Sequence, residues 1–306
     1  MKKPRVLVLV KRTSFQTFAI ERKDPRTLRL LAEKDPTVAR LRSSHDSHQE
    51  TVDEVREALE KLGASATVRV GPEKVVADGH ALVVTVGGDG TLLVASHQVG
   101  PDTPIVGINS APASSIGFFC AGQRGNVERT LGAALSGELP RVHLARMQVE
   151  LNGAILHRRV LNDALFCHAS PAATSRYILT LREPPPGGRS KKKAPKPVVI
   201  EQRSSGLWIG PAAGSTAAQR SAGGRVLPLG SKAIQVVVRE GYVKNGKRGF
   251  QRGVVADGGE LEIRSKMMDA RLFLDGVHTM HEIALGDVIT MRRSAEGLTV
   301  LGLRRR

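Results

Sequence analysis

Hydrophobic patterning divides the chain near Pro140. Before that point, short unbroken apolar runs alternate with stretches of helical spacing. Arg5 to Val10 and Ala81 to Val86 are rich in β-branched side chains, which predicts buried strands of a parallel sheet. Thr67 to Val70 and Pro104 to Ile108 predict two more strands. Val52, Val55, Ala58, Leu59 and Leu62 recur at helical spacing, predicting a helix from Ser47 to Leu62. Ser47 with Glu50 has the form of a capping box, and Gly63 that of a C-terminal stop. Asn126 to Ser136 also reads as helical, whereas Phe15 to Pro36 shows no clear period. This alternation predicts an α/β domain over residues 1–140, built on a doubly wound parallel sheet.

After Pro140 the period changes from helical to alternating. Arg146 to His157 reads as a hairpin with Asn152-Gly153 as its turn. Arg159 to His168 is a strand interrupted by Asn162 and Asp163. Tyr177–Arg182, Val198–Arg203, Leu207–Ile209, Ala233–Arg239, Glu260–Arg264, Ala270–Leu274 and Asp287–Arg292 all predict strands without intervening helices. A mostly β second domain is therefore expected over residues 141–306. Within it, residues 183–197 are rich in Pro, Gly and Lys, cannot support a core, and predict a flexible, exposed basic hairpin loop.

The candidate chemistry sits where the run Ala81 to Val86 ends. Gly87-Gly88-Asp89-Gly90-Thr91 makes a sharp turn before an apparent helix start at Leu92. Strand, glycine turn and helix N-terminus together make a phosphate cradle of backbone N–H groups. Asp89 is the anomaly in it, because a carboxylate repels phosphate oxygens. It would either take a proton from an attacking hydroxyl, hold a Mg²⁺ on the phosphate, or simply cap the helix. Gly210 to Gly224 is a second block of small residues. Ser215 or Thr216 could cap a helix there, inviting a phosphate or ribose; tight packing accounts for the small side chains equally well.

Composition adjusts this picture modestly. The chain is 306 residues long, 41% hydrophobic, with a formal net charge of +17. The charge suits polyanionic small substrates. A nucleic-acid role is not expected, because aromatics make up only 3% and stacking platforms are scarce. No apolar run reaches the roughly 18 residues of a membrane span, so no membrane role is expected either. Two cysteines, Cys120 and Cys167, suit a reducing compartment, with cytoplasm the default. His45, His48, His97 and His168 show no metal-binding spacing and read as surface or satisfied side chains.

Taken together, these segments resemble the NAD kinase family, whose members phosphorylate the adenosine ribose 2′-hydroxyl of NAD. The family's Gly-Gly-Asp-Gly-Thr is present at Gly87 to Thr91, its Asn-Glu pair as Asn162-Asp163, its Gly-Ser-Thr-Ala block as Gly214 to Ala217, and its late Asp-Gly as Asp275-Gly276. Asp163 stands for Glu, Ser205 for Asp and Ala218 for Tyr, and the segment Gly107 to Gly117 is longer than usual. These departures resemble the plant NADH kinase branch.

The resemblance implies roles residue by residue. Asp89 would be the general base. Gly87, Gly88, Gly90 and Thr91 would face the ATP phosphates, with Mg²⁺ carried on those phosphates and no direct protein ligand. Asn162 and Asp163 would bond the ribose and adenine of NAD or NADH. Thr216, Ala217 and Ser221 would line the same pocket, and Asp89 and Gly90 would also meet the dinucleotide. Arg203, Asn109, Phe118, Ser205 and Asp275 complete the set. ATP is the expected donor, with polyphosphate as the other option, and a homodimer or higher oligomer is implied. The rival readings are a lipid kinase of the diacylglycerol or sphingosine type, which shares Gly-Gly-Asp-Gly-Thr, and a non-catalytic nucleotide- or nucleic-acid-binding protein.

Overall fold

The computed structural model describes residues 3–71, 77–112, 115–185, 195–244 and 246–303. The chain forms two compact units, one reaching Val142 and resuming at Leu298, the other running from His143 to Gly297.

The first unit opens with β1 (Arg5–Val10), α1 (Pro25–Ala32), α2 (Leu41–Lys61), β2 (Ser65–Val70) and β3 (Leu82–Gly87). It continues through α3 (Asp89–Ser96), β4 (Ile105–Asn109), β5 (Cys120–Gln123), α4 (Val127–Ser136) and β6 (Arg141–Leu144). Its sheet runs β2-β1-β3-β4, each pair parallel. Val6, Val8, Val84, Val86, Val106 and Ile108 pack against Val55 and Leu59 of α2 and Leu131 of α4. Leu7, Val83 and Ile105, of mixed register on the same strands, are buried as well. Burial of whole strands explains why they read as unbroken apolar runs. The strand order reverses between β1 and β3, and ligands bind at the carboxyl ends of such a pair.

Three local expectations change. Helix α2 begins at Leu41, six positions before Ser47, with Arg40 as a cap that makes no side-chain bond. Ser47 and Glu50 therefore form no capping box: the Ser47 carbonyl accepts from the Thr51 hydroxyl at 2.8 Å, and Glu50 pairs with Arg124. The first turns of α2 are mostly polar, so no apolar period marks them. Glu54 of α2 instead accepts from the backbone N–H groups of Gly125 at 2.9 Å and Val127 at 3.2 Å, capping α4 from a neighbouring helix. Finally, Phe15 to Pro36 is ordered as a π-helical turn, Gln16–Glu21, followed by α1. Asp24 caps α1 by accepting from the Thr27 N–H at 2.8 Å, with Pro25 at the first helical position.

The second unit is a β-sandwich. It contains β7 (Met147–Leu151), β8 (Ala154–Val160), β9 (Ala164–His168), β10 (Ser175–Arg182), β11 (Val198–Ser204) and β12 (Gly206–Pro211). After α5 (Ala218–Ser221) follow β13 (Ile234–Arg239), β14 (Val243–Lys244), β15 (Lys247–Arg248), β16 (Arg252–Val255) and β17 (Glu260–Ser265). The last strands are β18 (Ala270–Leu274), β19 (Thr279–Ile283) and β20 (Val288–Arg293). Two antiparallel sheets, ordered β11-β10-β17-β20-β7-β8 and β16-β13-β12-β9-β18-β19, enclose one core. Phe166 of one sheet meets Tyr177 of the other edge to face, with ring centroids 6.1 Å apart. Asn152 and Gly153 both have positive φ, as the two-residue hairpin turn requires. Arg146, fully buried, donates from Nε to the Glu296 carbonyl at 2.7 Å and from Nη2 to the Gly297 carbonyl at 2.8 Å. Strands β10 and β11 are antiparallel neighbours, so residues 183–197 connect a hairpin. Of that basic segment, residues 186–194 lie outside the described residues.

The chain ends in the first unit. β21 (Leu298–Leu301) pairs in parallel with β4, and its residues are buried. A division at 140/141 therefore misplaces these terminal residues, because strand pairing over such a distance leaves no local mark on the sequence.

Candidate functional site

The glycine turn forms as its residue types require. β3 ends at Gly87, Gly88 caps α3 with extended backbone, and Asp89 is the first helical residue. A Cβ on Gly87 would lie 2.1 Å from Thr91 Oγ1, and one on Gly88 would lie 2.5 Å from Ser115 Oγ. One on Gly90 would meet nothing. Packing thus enforces the first two glycines, while the third leaves the head of α3 open to approach. The first N–H groups of a helix lack intrahelical acceptors, and the helix dipole there favours negative charge.

The Asp89 carboxylate is fixed from outside its helix. Its Oδ2 accepts from the Phe118 N–H at 2.9 Å, and its Oδ1 from the Phe119 N–H at 2.8 Å. Asn109, at the end of β4, shapes the segment that brings those donors. Its Nδ2 donates to the Ser115 carbonyl at 3.1 Å, and its Oδ1 accepts from the Ala111 N–H at 3.1 Å. Gly117, at φ +64°, lies against the same amide: a Cβ there would be 2.5 Å from Nδ2. Phe118 thus meets Asp89 through its backbone N–H, and Asn109 shapes the segment that brings it there. Residues 113 and 114 of the long segment lie outside the described residues. Burial, with the Asp89 charge adding to it, pushes the nearby Cys120 thiol up to about 12.

A second cluster lies in the β-sandwich. Asn162 and Asp163 occupy the short link between β8 and β9. The Asp275 carboxylate, in the turn after β18, accepts from the N–H groups of Leu161 at 2.7 Å, Asn162 at 2.7 Å and Asp163 at 3.0 Å. Asp275 has φ of 50°, a left-handed conformation that Asp tolerates better than most residues. Its carboxylate is thus engaged in holding the link. Asn162 Nδ2 donates to Asp163 Oδ2 at 2.8 Å. Burial pushes the Asp163 carboxyl up to about 7, and the neighbouring Asp275 charge adds to the shift.

The small-residue block packs onto this link. A Cβ on Gly214 would lie 1.6 Å from the Asn162 carbonyl oxygen, and one on Gly210 2.4 Å from it. Gln219, fully buried, receives a bond from Gln235 Nε2 at 3.0 Å. The expected helix is a 3-10 turn, Ala212–Thr216, followed by the single turn of α5, and no side chain caps either. Ser215 donates to the Ala212 carbonyl at 2.7 Å and accepts from the Leu227 N–H at 2.9 Å, so neither it nor Thr216 is a cap. Close backbone approach is the reason for the small side chains here.

Thr216 is half-buried, and Ala217 and Ser221 are exposed, all on this turn beside Asn162. Arg203 and Ser205 lie elsewhere. They flank the start of β12, whereas Asn162 lies near its end, since Ile209 pairs with Ala164 and Leu207 with Phe166. Arg203 is exposed on β11 opposite Arg176, and the Ser205 N–H donates to the Arg239 carbonyl at 2.9 Å. The reading of histidines as surface or satisfied side chains fails at His48, which is fully buried with Nε2 lacking a partner among the described residues. His48 stands one helical turn after half-buried His45 on α2, and that spacing was the only signal available. Among the described residues no three or more His, Cys, Asp or Glu side chains converge as a metal site, and no helix is long and apolar enough to cross a membrane.

Residues 12–139 match the family model of the ATP-NAD kinase N-terminal domain. A probable NADH kinase of Oryza sativa is 35% identical over 236 residues, covering 72% of this chain and 70% of the rice protein. An NADH kinase of Arabidopsis thaliana is 33% identical over 236 residues, 72% of each chain. The fold is that of an NAD kinase from Archaeoglobus fulgidus solved with ATP: TM-score 0.65, 18% identity, covering 96% of this chain and 92% of that one. Yeast NADH kinase solved with NADH matches at TM-score 0.65 and 15% identity, covering 98% of this chain and 84% of its own. With Gly-Gly-Asp-Gly-Thr at the head of α3 and Asn162-Asp163 held by Asp275, the chain belongs to the NAD kinase family.

Proposed function

We propose that this protein transfers the γ-phosphoryl group of MgATP to the adenosine ribose 2′-hydroxyl of NAD or NADH, giving NADP(H). The observation that carries the reading is Asp89, aimed by two backbone N–H groups at the head of a helix whose approach is open. A carboxylate offers about four lone-pair sites. Phe118 and Phe119 occupy two, leaving capacity on each oxygen to accept the hydroxyl proton as the new O–P bond forms and the γ-phosphorus bond to the bridging oxygen breaks, releasing ADP. Phosphoryl transfer depends chiefly on positioning and charge neutralisation, so a well-placed carboxylate suffices as base. Gly87, Gly88 and Gly90 would face the phosphates with backbone N–H groups, and Thr91, whose N–H donates to the Gly88 carbonyl at 3.0 Å, with its hydroxyl. A divalent cation would enter with the nucleotide substrate and would neutralise charge on its phosphates.

Asn162 and Asp163 would hold the adenosine end of the dinucleotide. Near neutral pH a carboxyl titrating at about 7 supplies both donor and acceptor, which suits a ribose hydroxyl or an adenine edge. Thr216, Ala217 and Ser221 would line that contact, and Arg203 and Ser205 a more distant part of the ligand. The plant relatives named NADH kinase motivate NADH as the acceptor to test beside NAD. Family membership supports a homo-oligomer, which light scattering measures; two cysteines suit a reducing compartment with cytoplasm the default, which imaging of a tagged chain measures.

The test is purified protein with MgATP or polyphosphate and either NAD or NADH. Formation of NADP(H), lost in Asp89→Asn, is the expected result. Phosphorylation of a diacylglycerol or sphingoid base without NADP(H), or salt-sensitive nucleic-acid retention without turnover, overturns the reading.

A further inference from the structure

His48 is a buried titratable group that the proposed chemistry leaves without a task. It projects from α2 and is 1% exposed. Its Nδ1 lies 2.8 Å from the Ser110 hydroxyl. The Ser110 backbone N–H in turn donates to the Gly87 carbonyl at 3.0 Å. The ring also meets the backbone of Lys11, whose N–H donates to the Val86 carbonyl at 2.9 Å. One imidazole therefore touches the residues just past β1 and β4 and, through Ser110, the end of β3.

Desolvation dominates and favours the neutral ring, pushing its titration down to about 4; the Lys11 backbone opposes it, and the charges of Lys11 and His45 add smaller downward pushes. Nδ1 and the Ser110 hydroxyl share one hydrogen bond, whose direction follows the ring tautomer. Nε2 nonetheless lacks a partner of hydrogen-bond geometry among the described residues. Such a nitrogen destabilises a fold, and an apolar side chain would fill this space without that cost.

We propose that His48 is a positioning residue for the phosphate-binding turn, holding Ser110 and through it Gly87 so that the head of α3 keeps its aim at a nucleoside triphosphate. This rests on the phosphoryl-transfer reading of that turn. Small displacements of a positioning group cost rate out of proportion to stability.

The experiment compares full-length His48→Leu, His48→Asn, Ser110→Ala and the His48→Leu/Ser110→Ala double variant. Each is assayed for KM of MgATP, KM of the dinucleotide, kcat and thermal unfolding, with calorimetric binding of a non-hydrolysable ATP analogue as a readout independent of turnover. His48→Leu is expected to weaken ATP-side kinetics and analogue binding by about ten-fold, leaving the dinucleotide KM within about two-fold. His48→Asn, whose side-chain amide offers an acceptor and a donor to the Ser110 hydroxyl in place of Nδ1, is expected to recover most of the loss. The double variant should be no worse than the poorer single one. Equal changes in both KM values, failure of Asn to rescue, or multiplying single effects each overturn the proposal. If His48→Leu does not fold, Ser110→Ala carries the same comparison, and an unchanged ATP side there overturns it. Wild-type protein that makes no NADP(H) overturns the kinase reading instead, and analogue binding still decides the role of His48.

Discussion

The Phe119 backbone N–H donates to the Asp89 carboxylate at 2.8 Å, while Phe118 engages the other oxygen. The candidate base is therefore aimed by the end of the segment that follows β4, not by its own helix. Asn109 shapes that segment through its amide, so the geometry at residue 89 depends on β4 as much as on β3.

Asp89→Asn replaces one acceptor oxygen by an NH₂ group facing a backbone donor. We expect kcat to fall by at least about 10²-fold through loss of the base. Stability should fall by about 1–3 kcal/mol, because one N–H loses its partner. Steady-state NADP(H) formation and chemical denaturation measure the two effects separately.

The glycines separate packing from ligand approach. Gly87→Ala places a methyl group on Thr91, and should destabilise the fold by about 1–3 kcal/mol. Gly90→Ala meets nothing and lies inside a helix, so unfolding should shift by no more than about 1 kcal/mol, toward higher stability. Its methyl group occupies the open approach, so MgATP turnover should nevertheless drop. Unchanged turnover in well-folded Gly90→Ala places the phosphates elsewhere.

Asp163 makes stability depend on pH. Its folded titration point, about 7, lies above the ordinary 3.8, so the folded state holds the proton more tightly than the unfolded chain. Its contribution is fully present below about 3.8, is lost as pH rises toward about 7, and is constant above that. Asp163→Asn does not titrate. Its stability relative to wild type should therefore be more favourable at pH 8 than at pH 5, as denaturation at both values will show.

Asp275 accepts three backbone N–H groups at positive φ. Asp275→Ala strands all three and strains the turn, and we expect a loss of about 3 kcal/mol or more. Asp275→Asn keeps one acceptor oxygen and tolerates the conformation, so its loss should be smaller. On the proposed function both variants raise the dinucleotide KM more than that of MgATP, measured by initial rates.

What the sequence determined by itself was local. Unbroken apolar runs at β1 and β3 reflect burial along whole strands, Asn152-Gly153 supplies the two positive φ values of its turn, and Gly87 to Thr91 spells out a strand-to-helix turn. Seven strand-like segments without intervening helices foretold a mostly β second domain, and motif resemblance picked out Asp89, Asn162 and Asp163 as candidates. Long-range contact decided the rest. β21 joins the first sheet by pairing with β4, and α2 starts ahead of its apolar period, in polar turns that leave no mark on the pattern. Ser215 bonds its own turn and Leu227 instead of capping a helix. Asp275 serves as backbone acceptor for a link more than a hundred residues before it in the chain. His48 is buried under Ser110, sixty-two positions away. Hydrogen bonds between distant segments leave no period in the sequence, because folding alone brings their donors and acceptors within 3 Å.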